Sequence, residues 1–289
     1  MATLITRRNA IAAMGGLGAN LMPAAASKPR LGAQTNAWAI RDFDELIVVL
    51  DKLKGYGYEG FETSFRNVQM HFDKPTTANV RMANSGLRFV NIHIFMDKYD
   101  ATTHIAPADL IERVAKGGAA LGAACLVVSG APCVESAKLN EAAIQAKTAA
   151  LNRAGTLCRG LGMSLAYHNH GPEFAERGLE IEALVKRTDP KLVDFVIDAG
   201  HAFRVGADVP AFFARHHRRI AGMHLRDFHN GDQVILGEGD FHLEPLARAI
   251  ARARWTGWLM NEEERLNNVK LGDAAIGPAR REMKKVFGV

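Results

Sequence analysis

Cysteine is scarce in this chain: three in 289 residues, Cys125, Cys133 and Cys158, with no CxxC spacing among them. A disulfide framework or a cysteine-rich zinc site has no pattern to rest on, and the thiols read as buried or incidental. A run of one charge is missing too. Lys and Arg number 36 against 31 Asp and Glu, a net +5 with the signs mixed along the chain, which gives weak support for a nucleic-acid partner. No apolar run reaches the ~20 residues of a membrane-spanning helix. No linker or low-complexity segment divides the chain. With 48% apolar and 23% charged residues, what remains is an ordinary globular composition, long enough to bury a substantial core.

The N-terminus stands apart. Residues 1–26 carry Arg7 and Arg8 after Thr6, then an Ala/Gly-rich apolar stretch interrupted by Asn20 and Pro23, then Ala24, Ala25 and Ala26. A basic start, an apolar middle and a small-residue end are the parts of an export signal, and adjacent arginines favour the twin-arginine route. The expectation is an exported, periplasmic protein with no stable membrane anchor, whose single domain spans 27–289. The leader holds two arginines and no acid, so the mature charge is 5 − 2 = +3.

Beyond residue 30 short apolar segments alternate with longer amphipathic ones. Strands are expected over 31–38, 58–65, 88–95, 124–130, 163–170, 192–201, 220–228 and 257–263. Helices are expected over 42–57, 74–86, 107–122, 139–162, 178–189, 208–217, 243–254 and 273–286. Glycines sit between helix and strand at Gly57, Gly86, Gly122, Gly162 and Gly257, where a left-handed helix end favours them. Strand–helix alternation predicts parallel βαβ units, and eight of them in ~260 residues match an α/β, (β/α)8 TIM barrel. An open doubly wound sheet would carry a Gly-rich phosphate turn after its first strand, and 36-NAWAIRDF-43 offers none.

Barrels of this kind hold their chemistry at the C-terminal strand ends. Those ends carry Glu62, His93, His168 and His170, Asp198 with His201, His224 with Arg226 and Asp227, and Glu262 with Glu263 and Glu264. Successive strand residues alternate faces, so His168 and His170 share one. Asp198, His224 and Glu262 each end an apolar run and can converge. Any one of these reads as an ordinary packing or turn residue. Glu264 reads as a solvated face, and His216, His217, His229 and His242 are given no role. Several ionisable groups buried together without a ligand would be costly. Mixed nitrogen and oxygen donors suit Mn, Zn, Co or Fe rather than Ca.

The segments 61-FETSF-65, 164-SLAYHNHGPEF-174, 195-FVIDAGHAFRVGADVP-210, 221-AGMHLRDF-228, 236-LGEGDFHLEPL-246 and 257-GWLMNEEE-264 resemble, in family order, the sugar phosphate isomerase/epimerase family of xylose isomerase-like TIM barrels. The resemblance implies one divalent metal ion on His168, Asp198, His224 and Glu262, with His170 as the alternative to His168, because many members place a glutamate at the end of strand five. By the same resemblance, His201, Arg226 and Asp227 contact either the substrate or the residues that support the ligands; His93, with His201 and Arg226, is expected to hold hydroxyl or anionic groups of the substrate.

Such a site supports proton abstraction beside the carbonyl of a sugar or keto-sugar through an enediolate. Glu262 is the expected base, with Glu62 or Glu173 acting opposite it. Isomerisation or epimerisation results; a leaving group β to the anion turns the same site into a dehydratase or lyase for keto-sugars or inososes. The partner is a small-molecule sugar, and self-association is left open. The rivals are a non-catalytic sugar-binding protein and an endonuclease of the same barrel superfamily, against which export and the +3 charge count.

Overall fold

The computed structural model describes residues 28–264, 266 and 269–289; the expected export signal lies outside the described residues. Eight parallel strands form a closed barrel: β1 Arg30–Gln34, β2 Gly60–Ser64, β3 Arg88–Ile94, β4 Cys125–Val128, β5 Ser164–His168, β6 Asp194–Asp198, β7 Ile220–Leu225 and β8 Trp258–Asn261. Each pairs with its neighbours in sequence, and β8 closes on β1, Leu31 opposite Leu259. The (β/α)8 expectation is met. Every strand is shorter than its expected span, because each apolar segment runs on into a loop or cap.

The helices are α1 Phe43–Gly55, α2 Pro75–Asn84, α3 Ala108–Ala120, α4 Glu141–Gly160, α5 Gly171–Arg187, α6 Ala199–Arg204, α7 Val209–His216, α8 Glu244–Ala253 and α9 Asp273–Phe287. Local chemistry sets their starts. Asp42 caps α1 by accepting from the Glu45 amide at 2.9 Å, and Asn140 caps α4 through Ala143 at 3.1 Å, each satisfying an amide that has no partner within the helix. On α1, Leu46, Val49, Leu50 and Leu53 are buried at the i, i+3, i+4, i+7 spacing of one helix face.

Three differences from expectation have local causes. Alpha5 begins at Gly171 rather than 178, since Pro172 fits a first helical turn; it is then broken at 175–178, where Glu176, Arg177 and Gly178 have φ of 50°, 61° and 78°. The short α6 follows β6 directly because Asp198 caps it, accepting from the His201 amide at 2.7 Å. Gly257 does not end a helix in the left-handed region. Arg254 takes that conformation at φ 50°, while Gly257 lies where a Cβ would meet the Trp255 ring at 2.1 Å.

Strand alternation divides the residues between two environments. Ile92, Ile94, Leu126, Val128, Leu165, Tyr167, Phe195, Ile197, Met223, Leu225 and Leu259 join the large core shared with the helices. Their alternates Cys125, Val127, Ala166 and Val196 make a separate small cluster, the apolar filling of the barrel. In phase with that second set, one step further along, come His93, His168 and Asp198. The strand interior thus turns from apolar to ionisable at the C-terminal rim.

Candidate metal centre

His168, Asp198, His224 and Glu262, all buried, each bring one ligand-type atom within 4.8 Å of the other three. They come from β5, β6, β7 and the residue after β8, the places where sequence put them. The strand register aligns them: Asp198 is opposite His224, and Met260 opposite His224 on the other side, two residues before Glu262.

The donor set fits a divalent ion. His168 Nδ1 and Asp198 Oδ2 are buried without a hydrogen-bond partner. Arg226 Nε lies 2.9 Å from that Oδ2, yet poorly aligned, so the guanidine nitrogen is also unsatisfied. Buried polar atoms left unpaired are costly, and a cation bound by the lone pairs would relieve two of them. His170 is not in the group. It stands further out, its ring 5.1 Å from His168 and 5.4 Å from His201.

Two of the four, His168 and Glu262, border a cavity of about 320 Å³ whose wall also includes Gln34, Asn36, Ser64, Arg66, His93, Phe95, His170, His201, Arg226 and Glu264, while Asp198 and His224 lie buried behind them. The larger groove of about 450 Å³ near Lys28 and Trp255 contains none of the four. Burial, then neighbouring positive groups, brings the His170 and His201 imidazoles down to about 4, so both are neutral at pH 7. Burial also lowers His168, well below the ordinary histidine value. Burial acts the same way on His224, but Glu62 and Glu262 outweigh it and raise that histidine. Burial opposes ionisation of Glu262, and Arg226 and His224 more than compensate, holding its carboxyl well below the usual range.

Several expected site residues stand behind the cavity wall or are held by other partners. Glu62 is fully buried and absent from the cavity wall. Its Oε1 lies 2.9 Å from His93 Nδ1, and its Oε2 lies 2.9 Å from His224 Nε2 and 2.7 Å from Asn91 Nδ2. The cavity wall gives no support to its expected role as a base. Glu173 is likewise buried away from the cavity: the Tyr167 hydroxyl donates to Oε1 at 2.6 Å and the His170 amide to Oε2 at 3.0 Å.

Asp227 accepts four backbone N–H groups, from Phe228 and Phe241 on Oδ1 and from Gly237 and Gly239 on Oδ2, at 2.9–3.1 Å. It organises the loop after β7, which agrees with the supporting role among its two expected alternatives. His93 does line the cavity, but both ring nitrogens are engaged, Nε2 with Ser129 Oγ at 2.9 Å. His201 and Arg226 line it as expected.

Glu264, expected on a solvated face, reaches Arg226 Nη1 at 3.0 Å and bounds the cavity. Sequence reading missed Gln34, Asn36, Ser64, Arg66 and Phe95. Gln34 and Ser64 end β1 and β2, so the strand-end rule would have found them had those strands been ended at the right residue; Phe95 ended the expected third strand but carries no ionisable group.

Similarity to known proteins follows the same lines. An inosose dehydratase of Geobacillus kaustophilus (strain HTA426) is 30% identical over 133 residues, which are 39% of this chain and 43% of that protein. The match thus spans less than half of the relative. A sugar phosphate isomerase/epimerase structure from Parabacteroides distasonis ATCC 8503 superposes with a TM-score of 0.71 at 18% identity, covering 91% of this chain and 98% of the other. The apo 3-keto-D-glucoside 4-epimerase of E. coli does so with a TM-score of 0.66 at 14% identity, covering 91% and 100%. At those identities the structures attest the fold. The xylose isomerase-like TIM barrel family matches residues 50–285, a span that takes in all four clustered residues and every strand from β2 to β8. The chain belongs to that family.

Proposed function

We propose that this chain is a divalent-metal-dependent enzyme that moves a proton on the carbon next to a carbonyl of a sugar or keto-sugar. The observation that carries the reading is the meeting of His168, Asp198, His224 and Glu262 within 4.8 Å, with His168 and Glu262 on the wall of a cavity. These four residues would hold the ion; bound there, it supplies Lewis-acid charge beside a substrate oxygen. Of the carboxylates expected as bases, Glu262 alone borders the cavity, and Arg226 Nη2 at 2.7 Å keeps it ionised and oriented. Glu262 takes the carbon-bound proton. His170 and His201, neutral at pH 7, can each donate to and accept from sugar hydroxyls.

Arg226 faces three carboxylates, Asp198, Glu262 and Glu264. Its charge is therefore compensated within the site. Return of the proton gives isomerisation or epimerisation, and loss of a β leaving group gives dehydration. The sequence similarity to inosose dehydratases favours placing inososes in the first assays.

The test is solvent exchange. Full-length chain loaded with Mn²⁺, Co²⁺, Zn²⁺ or Fe²⁺ is incubated in D₂O with ketoses, inososes and 3-keto-glycosides. Metal-dependent uptake of deuterium beside the carbonyl is expected, reduced by roughly 10²-fold or more in Glu262→Gln. No exchange by any loaded form across the panel overturns the proposal. We further propose that residues 1–26 direct export of the folded chain. Arg7→Lys with Arg8→Lys should then hold the protein in the cytoplasmic fraction, and unchanged export of that variant would contradict it.

A further inference from the structure

Glu62 occupies an irregular point of the barrel. Along β2 and β3, Phe61 is opposite Phe89 but Glu62 is opposite Asn91, so the register skips Val90. A bulge of this kind re-aims a side chain. Here it sets Glu62 beside Asn91, whose Nδ2 donates to Oε2, and within hydrogen-bond distance of His93 and His224. Three N–H donors on two oxygens leave a fully buried carboxylate anchored from three sides.

His224 has two distinct nitrogens. Nδ1 is 2.5 Å from Glu262 Oε2, inside the four-residue cluster, while Nε2 points away to Glu62 at 2.9 Å. The hydrogen bond made by one ring nitrogen decides which nitrogen keeps a lone pair for an ion. We propose that Glu62 is a positioning residue: by accepting the Nε2–H of His224 it commits Nδ1 to the metal centre, and through His93 it ties that commitment to the cavity wall. The inference rests on the metal reading above.

A purely structural role would require only that the charge be buried and paired; tautomer control makes a sharper demand. Full-length chain carrying ¹⁵N-histidine is loaded with one equivalent of Zn²⁺ and studied by long-range ¹H–¹⁵N correlation. The expected result is a His224 ring protonated at Nε2 and zinc-shifted at Nδ1. A proton on Nδ1 overturns the inference without any variant being made.

In parallel, Zn²⁺ affinity is measured by competition with a chromophoric chelator. Glu62→Gln keeps one oxygen acceptor and should weaken binding about 10-fold; Glu62→Ala should weaken it about 100-fold. Melting of the metal-free variants reports whether they fold. Folded variants that bind Zn²⁺ as tightly as the wild type overturn the inference and leave the metal reading standing. A wild-type chain that takes up no Zn²⁺ overturns the metal reading itself, and the inference with it.

Discussion

At the residue scale, Asp227 and Glu262 show how the same functional group takes different employment just past the ends of neighbouring strands. Glu262 borders the cavity, whereas Asp227 has its two oxygens on four loop amides. Asp227→Asn keeps the shape but turns an NH₂ group toward two of those amides, leaving donors facing donors. The expected cost is about 1–3 kcal/mol of stability, read from the midpoint of denaturant unfolding. An unchanged midpoint would mean that the loop 236–241 does not depend on this carboxylate. The sequence puts Asp198 at the end of an apolar run and Asp227 just after Arg226, but it does not show that Asp227 is enclosed by loop amides. The difference arises because the chain following β7 folds back over Asp227, bringing Gly237 and Gly239 close; a Cβ at Gly239 would lie 2.2 Å from Asp227 Oδ1.

At the scale of elements, α4 and α5 are joined by an ion pair shut off from water. Lys147 Nζ reaches Glu180 Oε1 at 2.7 Å, with both side chains fully buried. Lys147 also donates to Ala131 O at 2.9 Å, and Glu180 Oε2 accepts from the Cys133 amide at 2.6 Å, so the pair pins the loop after β4 to both helices. Removing one partner leaves an uncompensated buried charge, whereas replacing both by apolar groups of similar volume removes the desolvation penalty with the attraction. Lys147→Met alone should cost about 3–5 kcal/mol. The double change Lys147→Met with Glu180→Leu should recover most of that in equilibrium unfolding; a double variant as unstable as the sum of its singles would count against this account. Helix periodicity made α4 legible in the sequence. It could not show that Lys147 faces inward, because a lysine on a helix is ordinarily solvated.

At the scale of the whole molecule, barrel closure brings distant ionisable groups to one rim, and an ion shared among them, as proposed above, would link ligand binding to folding. A ligand that binds only the folded state stabilises it by about 2.7 kcal/mol at a free concentration 100 times its Kd. Chelation should therefore lower the melting temperature by several degrees, and re-addition of one of Mn²⁺, Co²⁺, Zn²⁺ or Fe²⁺ should restore it in calorimetry. A melting point indifferent to chelator and to all four ions would oppose the metal reading.

The alternation of apolar strands with amphipathic helices was enough to read the barrel from the sequence, because side-chain periods of 2 and 3.6 are local properties of the backbone. The four clustered residues stood among the strand-end groups for a related reason, since in a barrel the end of a strand is also a place in space; choosing these four as one set came from the family resemblance. What lay beyond local reading was the assignment of work among those strand ends. Whether an acid faces the cavity, as Glu262 does, or is enclosed by partners, as Glu62, Glu173 and Asp227 are, depends on register shifts and returning loops. Those are fixed only when segments far apart in the chain pack together, since a side chain's partners, not its type, decide whether it meets a ligand.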